Sequence, residues 1–462
     1  MTFDPMMGLY FWGFLVLYGG VMYAMSPSAT TVSSFFRGTD NQGRPASEWA
    51  LMMSIFISWI FAKSVTNAAN LGASYGVVGG LAYATYWLSI PVAGFVIYWL
   101  RTRHGAQGMV TFLIQRYGRA AALAFALAIF IRLYNEVWSN TAVVGAYYGK
   151  AGEWQFIAAA LLFTAVTLFY SVKGGLRSSI VTDVVQGVLF VVVLGVVLFL
   201  VLPQHGVGTL VAAGEFRLDA GVDLLLVALV QVLSYPFHDP VLTDRGFITE
   251  EKTMLRAMVL SGVLGFACIF GFSLVGVHAR LEGLPLGDNM PGAVAAAFGA
   301  LPYFLMTMIM IVAAGSTLDS TFASVSKLIG QEVPLLARRE PGANALRIGV
   351  WTMIAIAVLG NLPMIAGTDI LKATTVSGTM VMGLAPVFLL APLVRRSPWS
   401  FHLAFWPGVI IGILLAMGGI PRSWAIGTGQ YALLLGANVY GLAICCAGFL
   451  LPLAWQRLAS RR

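Results

Sequence analysis

The chain has 462 residues, of which 59% are hydrophobic and 10% are charged, and its mean hydropathy is +0.84. A soluble domain is about 25% charged on average, so this composition excludes a soluble globular protein and predicts an integral membrane protein. The net charge of +8 would suit a nucleic-acid-binding protein, but the basic residues gather in short loops between apolar runs, which indicates membrane topology and no nucleic-acid partner.

The apolar runs repeatedly reach the roughly 20 residues that cross a bilayer as a helix, and they lack the alternating pattern of a transmembrane barrel. The predicted fold class is therefore all-α and polytopic. We predict about thirteen spans, at residues 8–25, 49–75, 79–100, 119–148, 154–172, 178–202, 221–243, 255–279, 296–328, 345–366, 370–394, 401–419 and 428–455. Threading them alternately puts most loop arginines and lysines, Arg245 included, on one side. The positive-inside rule then predicts a multi-pass protein of the cytoplasmic (inner) membrane, with its N-terminus outside and its C-terminus cytoplasmic.

The second span, Leu51 to Tyr75, carries the polar residues Lys63, Asn67 and Asn70 near the expected midplane of the membrane. Irregular backbone at that depth is tolerated only beside a cavity or a bound ion, so we expect this span to be broken there. The Lys63 ammonium could replace a bound cation, pair with a carboxylate or meet an anionic substrate. Alternatively, it snorkels toward the cytoplasm. The next span, with Tyr83, Tyr86 and Trp87, is expected to serve mainly packing.

The span from Arg119 to Tyr148 contains Arg132 and Glu136, which lie four residues apart and so share one helical face. Two charges in lipid are costly unless they are paired, so we predict an internal salt bridge. Trp138 lies on the same span, and lining of a substrate cavity is the second interpretation of this polar, aromatic segment.

Two later segments also place polar groups in apolar surroundings. Asp183 enters a helix after a Gly-Gly turn, where it either favours the helix N-terminus through the dipole or faces inward to complete a cation site. Pro236 and Pro240 must break the span at 221–243, and Tyr235, His238 and Asp239 cluster at that break. An enzymatic role for His238 and Asp239 finds no support in a nucleophile or metal motif.

The stretch Tyr303 to Ser324 begins as almost pure hydrocarbon and ends with a dense group of hydroxyls around Asp319. Hard cations such as sodium are held by hydroxyl, carboxylate and carbonyl oxygens, so this stretch predicts half of a cation site that other helices complete. The alternative is that its serines and threonines only bond carbonyls one turn earlier and let helices pack closely.

Three segments together resemble the sodium:solute symporter family. YSVKGGLRSSIVTDVVQ, Tyr170 to Gln186, is similar to the family's most recognisable stretch, and AAGSTLDS, Ala313 to Ser320, resembles its cation-binding motif. YPFHDPVLTDRGF, Tyr235 to Phe247, is similar to a gate helix that ends in an arginine, here Arg245. This chain has Asp244 where the family more often has glutamine.

The resemblance covers essentially the whole chain and implies a LeuT-type fold of two inverted five-helix repeats with extra flanking helices. The expected divisions are an N-terminal helix and loop (1–48), the first repeat (49–202), an outer loop (203–220), the second repeat (221–394) and two C-terminal helices (395–462). Each repeat is expected to open with a discontinuous helix, in agreement with the breaks expected from the residues themselves.

The resemblance also implies where ligands bind. The main sodium ion would take the carbonyls of Ala62, Val65 and Ala313 and the hydroxyls of Ser316 and Thr317. The residues that match a second sodium site are Asp183, Asp319 and Ser320, together with Ser316. The candidates that would line the substrate cavity are Lys63, Asn67, Asn70, Trp138, Gln231, Ser234 and the gate tyrosine Tyr235.

We therefore predict a secondary active transporter that moves a small polar organic solute into the cell together with Na⁺, by alternating access. A proton-coupled or uncoupled transporter of the same fold is the first alternative. A membrane-embedded enzyme and a sensor are further alternatives, although the sequence contains no output domain for a sensor.

Overall fold

The computed structural model describes residues 5–365, 377–394 and 396–459, whose regular secondary structure is helical, with no β-strand in these ranges. Within them, nine helices are long and apolar enough to cross a membrane, and one bent helix pair makes a tenth. The predicted all-α polytopic class is confirmed. The count of thirteen spans is not confirmed, and residues 370–376 of the predicted span at 370–394 lie outside the described residues.

The helices are numbered α1 to α21 in chain order. The first eleven are α1 (Pro5–Met25), α2 (Val32–Arg37), α3 (Glu48–Ser58), α4 (Ala62–Tyr75), α5 (Val77–Ala84), α6 (Ser89–His104), α7 (Met109–Tyr117), α8 (Arg119–Ala146), α9 (Trp154–Val201), α10 (Val207–Ala212) and α11 (Val222–Gln231). The others are α12 (Pro240–Thr243), α13 (Glu251–Leu281), α14 (Met290–Phe298), α15 (Ala300–Lys327), α16 (Val333–Leu336), α17 (Ala345–Leu359), α18 (Leu362–Ile365), α19 (Leu384–Leu389), α20 (Pro398–Ala416) and α21 (Ala432–Ala459).

Helix α9 contains two of the predicted spans. It has 48 residues, and a straight helix of that length would measure about 72 Å against roughly 30 Å of hydrocarbon. Gly175 interrupts it with φ 54° and ψ −134°, a conformation that favours glycine, and a Cβ there would lie 2.5 Å from the carbonyl oxygen of Phe35. The kink therefore falls between the spans predicted at 154–172 and 178–202.

Both predicted helix breaks are present. The first break, Trp59 to Phe61, separates α3 from α4, and the two helices are bent by 59°. The second break, Val232 to Asp239, follows α11 and includes a 3₁₀ turn at Tyr235–His238. Pro236 and Pro240 have no amide hydrogen to continue a helix, and the Asp239 side chain instead accepts a hydrogen bond from the Val241 amide at 3.1 Å.

The first break is held between two long helices. α4 packs against α13 on one side and against α15 on the other. The contact with α13 depends on glycine, because a Cβ on Gly276 would lie 1.8 Å from the carbonyl oxygen of Ala69. This close backbone approach sets the position of α4, and with it the irregular backbone that precedes Ala62.

Candidate functional site

The polar end of α15 lies against the first break. The Thr317 hydroxyl donates to the carbonyl oxygen of Ser58, the last residue of α3, at 3.3 Å, and to the Ala313 carbonyl at 3.0 Å. Ser316 and Thr317 are fully buried. The hydroxyl of Thr317 thus lies next to the first break, where the backbone is not hydrogen-bonded as a regular α-helix.

The carbonyl positions expected for the main sodium ion are also in the protein interior. Ala62, Val65 and Ala313 have no exposed surface. The Ala62 carbonyl accepts a bond from the Thr66 hydroxyl at 3.2 Å, and the Ala62 amide donates to the Asn140 side chain at 3.1 Å. The start of α4 is therefore positioned by side chains as well as by helix packing.

A second group of oxygens surrounds Asp183, which lies on α9 and has no exposed surface. Its carboxylate accepts hydrogen bonds from Ser54 at 2.6 Å, from Ser58 at 3.1 Å and from Ser316. Of the two interpretations of Asp183, the inward-facing one agrees with this geometry. Because Ser316 belongs to α15, this bond links the group to the main cation motif.

Asp319 lies in the same group and is held by hydroxyls. It accepts from Ser179 at 2.8 Å, from the Tyr170 phenol at 3.0 Å and from Thr182 at 3.2 Å. We call Asp183, Asp319, Ser320 and the hydroxyls that contact them the Asp183 cluster. The four polar residues expected at the second cation position, Asp183, Asp319, Ser320 and Ser316, are therefore neighbours.

Arg245 also lies within this cluster. Sequence analysis named it as the arginine that ends the gate helix but assigned it to a cytoplasmic loop, and so missed its burial beside Asp183. Its guanidinium has no exposed surface, and Nη2 lies 2.7 Å from Ser320 Oγ and 3.1 Å from Asp183 Oδ2. Nε donates to Ser54 at 2.7 Å. The segment after the second break is thereby joined to α3, α9 and α15 at once.

Asp244, the residue that departs from the family pattern, also binds α15. Its carboxylate pairs with Lys327, the last residue of that helix. Lys327 also lies 3.3 Å from Glu332. Where the family more often has a neutral glutamine, this chain therefore has the acidic partner of an ion pair, directly before Arg245.

Four buried charges connect the two breaks. Lys63 Nζ lies 2.6 Å from Glu136 Oε1, and Arg132 contacts Glu136 and lies 3.0 Å from Asp239. The Trp59 indole donates to the same Asp239 oxygen at 3.0 Å. The predicted Arg132–Glu136 salt bridge is confirmed. The Lys63 side chain is only 1% exposed and paired with a carboxylate, so its snorkelling interpretation is wrong.

Beside this network, five aromatic side chains meet edge to face or tilted. The ring centroids of neighbouring members lie 5.8 to 6.2 Å apart, and the members are Trp59, Tyr83, Tyr86, Trp87 and Tyr235. They come from both breaks and from the span expected to serve mainly packing. This aromatic cluster therefore packs between the two breaks.

Two of the predicted cavity residues bond to the aromatic cluster. The Asn67 amide donates to the Tyr83 phenol at 3.2 Å, and the Tyr86 phenol donates to Gln231 at 2.8 Å. Gln231 also donates to Asn438 on α21 at 3.0 Å. Ser234 is buried and donates to the Gln231 carbonyl at 3.3 Å, so it too lies at the second break.

Two other predicted cavity residues lie elsewhere. Asn70 binds the loop before α14, donating to the Asp288 carbonyl at 2.9 Å and accepting from the Met290 amide at 3.0 Å. Trp138 packs in a separate apolar group with Phe156 and Met364. Both residues therefore have structural partners away from the aromatic cluster.

Comparison with known proteins identifies the family. The sequence profile of the sodium:solute symporter family matches residues 41–335, which is more than half of the chain and includes both breaks and the cation motif of α15. The chain belongs to the sodium:solute symporter family. This symporter is therefore a sodium-coupled secondary transporter, and Na⁺ is its coupling ion.

Individual relatives agree with this assignment. The symporter is 23% identical to sodium/glucose cotransporter 1 of Mus musculus over 488 residues, covering 90% of this chain and 71% of the relative. It is 24% identical to the sodium/myo-inositol cotransporter of the same organism, covering 84% of this chain and 63% of that protein.

A solved Na⁺-coupled sialic acid symporter in an outward-open state superimposes with a TM-score of 0.75 at 16% identity, covering 97% of each chain. MhsT in complex with L-phenylalanine gives 0.51 at 14% identity, covering 88% of this chain and 98% of that one. The fold is of the LeuT type.

Proposed function

We propose that this symporter carries a small, uncharged, hydroxyl-bearing solute into the cell across the cytoplasmic membrane, with its N-terminus outside. The observation that carries the mechanism is the contact between Thr317 and the Ser58 carbonyl, which brings the cation motif of α15 to the first break. Solute and ion would bind at adjoining positions, one at the aromatic cluster and the other beside the start of α4.

For the ion, we propose five oxygen ligands. They are the carbonyls of Ala62, Val65 and Ala313 and the hydroxyls of Ser316 and Thr317. Oxygen donors suit a hard cation, and their complete burial removes competing water. An ion bound there would hold α15 against the first break, so that the solute binds better when the ion is present. Each charge moved inward gains about 2.3 kcal/mol per 100 mV of membrane potential, which drives accumulation.

The second cation position is proposed to work differently in this chain. The Arg245 guanidinium already supplies a positive charge within hydrogen-bonding distance of Asp183 and Ser320. We propose that Arg245 takes the place of a second sodium in this conformation, and that one sodium ion accompanies each solute. A sodium dependence of uptake with a Hill coefficient near one is then expected.

The main site is tested by removing its hydroxyls. Ser316→Ala or Thr317→Ala is expected to raise the sodium concentration for half-maximal uptake roughly tenfold, which corresponds to about 1.4 kcal/mol for one lost ligand. Uptake is measured in proteoliposomes over a sodium series at constant ionic strength.

Thr321→Ala is the matched control, because within the described residues its hydroxyl donates to the Thr317 carbonyl of its own helix, at 2.8 Å, and to no other group. It is expected to leave the sodium dependence unchanged. An unaltered sodium dependence in both Ser316 and Thr317 variants would show that other oxygens bind the ion.

The proposed solute class follows from charge and chemistry at the breaks. Each of Lys63, Arg132, Glu136 and Asp239 already pairs with an opposite charge, so the network favours an uncharged solute. Aromatic faces and the polar groups of Asn67 and Gln231 suit the apolar faces and hydroxyls of sugars and polyols. Relatives named for glucose and myo-inositol transport are consistent with this class.

A single phenol tests the solute position. Tyr86→Phe removes the donor to Gln231. A neutral hydrogen bond is worth about 0.5–1.5 kcal/mol, so the solute concentration for half-maximal uptake should rise about two- to twelvefold. The solute is first identified by thermal shift across sugars, polyols, amino acids and amides, with and without sodium. A charged solute as the only sodium-dependent hit would contradict the proposed class.

A further inference from the structure

Far from the two breaks, three metal-ligating side chains gather where α9 and α13 end. His205 follows the 3₁₀ turn after α9, His278 lies in the last turn of α13, and Glu282 is the C-terminal cap of the same helix. One ligand atom from each residue lies within 4.8 Å of the other two. His205 Nε2 is 2.8 Å from Glu282 Oε1.

We propose that His205, His278 and Glu282 form a binding site for one transition-metal dication, with Zn²⁺ as the ion of best fit. Two imidazoles and one carboxylate are a ligand set that suits zinc, with water in the fourth position. This chemistry differs from the all-oxygen set proposed for sodium. The site is independent of the transport site and does not rest on the proposed solute.

The geometry requires only a small adjustment. Ligand atoms about 2.1 Å from a tetrahedral zinc ion lie roughly 3.4 Å from one another. The separations are at most 4.8 Å, so none would have to shorten by more than about 1.4 Å. His278 and Glu282 are four residues apart and therefore share one helical face. His205 lies in a loop and is the partner most free to adjust.

One further observation supports this site. Among the described residues, none is hydrogen-bonded to Nδ1 of His278, and this residue is only 5% exposed. Glu282 lies at the negative end of the α13 dipole, where Arg280 in the last turn already supplies one positive charge. A bound dication would give His278 a partner and pair with the Glu282 carboxylate.

The site is accessible to an ion from solution. The Glu282 side chain is 48% exposed and that of His205 is 22% exposed, whereas His278 is buried beneath them. Leu210 on α10, the short helix that follows His205, already packs against Leu274 and Val277 of α13. A metal would therefore fasten the loop between the repeats more tightly to the end of α13.

Calorimetric titration of ZnCl₂ into the full-length protein, purified without a polyhistidine tag, tests the proposal. We expect one saturable site per chain, at least tenfold weaker binding in His205→Ala and in Glu282→Gln, and unchanged binding in His402→Ala. His402 is the matched control because its ring lies on α20 and accepts a bond from Trp406 at 3.1 Å. His205 and Glu282 lie in or beside surface loops, so their variants should fold.

Titration with CoCl₂ gives an independent readout. Tetrahedral Co²⁺ with nitrogen and oxygen ligands produces visible absorption bands that octahedral aqueous Co²⁺ lacks at comparable strength, and these bands should be displaced by Zn²⁺. Absence of saturable Zn²⁺ binding in the native protein would overturn the proposal. Equal affinity in the His205 and Glu282 variants would overturn it too, because the ion would then bind elsewhere.

Discussion

Arg245→Ala is expected to abolish most uptake and to lower the thermal unfolding midpoint by at least about 5 °C. The guanidinium is completely buried and bonds α3, α9 and α15 through Ser54, Asp183 and Ser320. Removing one partner of a buried ion pair leaves an uncompensated charge and costs about 3–5 kcal/mol. The midpoint is measured on purified protein in detergent, and uptake in proteoliposomes.

The same variant tests whether Arg245 substitutes for a cation. Without the guanidinium, sodium could enter the Asp183 cluster, so NaCl should stabilise Arg245→Ala more than the native protein, relative to choline chloride. Adding Asp183→Asn should remove this extra stabilisation, because the site then lacks its carboxylate. Equal sodium stabilisation of the native protein and Arg245→Ala would contradict the substitution.

The control for Arg245 is a surface arginine. Arg256 lies 4.0 Å from Glu48, and its side chain is 72% exposed. Exposed pairs contribute about 0–1 kcal/mol, so Arg256→Ala should leave both the unfolding midpoint and uptake nearly unchanged. A loss as large as that of Arg245→Ala would indicate a general effect of arginine removal.

Glu136→Gln should cause the second large effect. Glu136 is the common partner of Lys63 and Arg132, so its neutralisation leaves two buried cations to share Asp239. The cost should again be about 3–5 kcal/mol, seen as a lower unfolding midpoint and a loss of uptake. Glu251→Gln is the control, because Glu251 is 39% exposed and pairs with Arg101 at 3.1 Å.

Adding Lys63→Met to Glu136→Gln should recover most of the lost stability. The double variant removes one charge of each sign and keeps the Arg132–Asp239 pair, so the network is neutral again. If the double variant is stable and transports solute, the Lys63–Glu136 pair is structural. If the double variant is as unstable as Glu136→Gln, charge balance does not explain the network.

The breaks and the buried polar group on α15 could be predicted because each is a local exception to its surroundings. Lys63 in an apolar span, two prolines beside Tyr235 and hydroxyls around Asp319 are all visible within one segment of sequence. The salt bridge between Arg132 and Glu136 could likewise be read from helical spacing. Which helices are neighbours could be expected only from the family resemblance, because spans alone do not specify helix packing.

The partners that join distant segments could not be predicted in this way. Arg245 resembles any other loop arginine, since the positive-inside rule counts charge and contains no information on burial. Tyr83 and Tyr86 became candidates only when the fold placed them beside Tyr235. Asn70 was predicted to line the solute cavity because it is a polar residue on α4. It lies nearer the end of that helix, where it instead donates to the Asp288 carbonyl of a loop.

The contact between Gly276 and Ala69 restricts how the molecule can move. Because a Cβ on Gly276 would overlap the Ala69 carbonyl, the two backbones are in direct contact, and we expect α4 and α13 to move together. Bending is then expected at the short irregular stretch from Trp59 to Phe61. Ala62 and Val65, two of the proposed sodium ligands, follow that stretch, so we expect sodium binding to depend on the angle between α3 and α4.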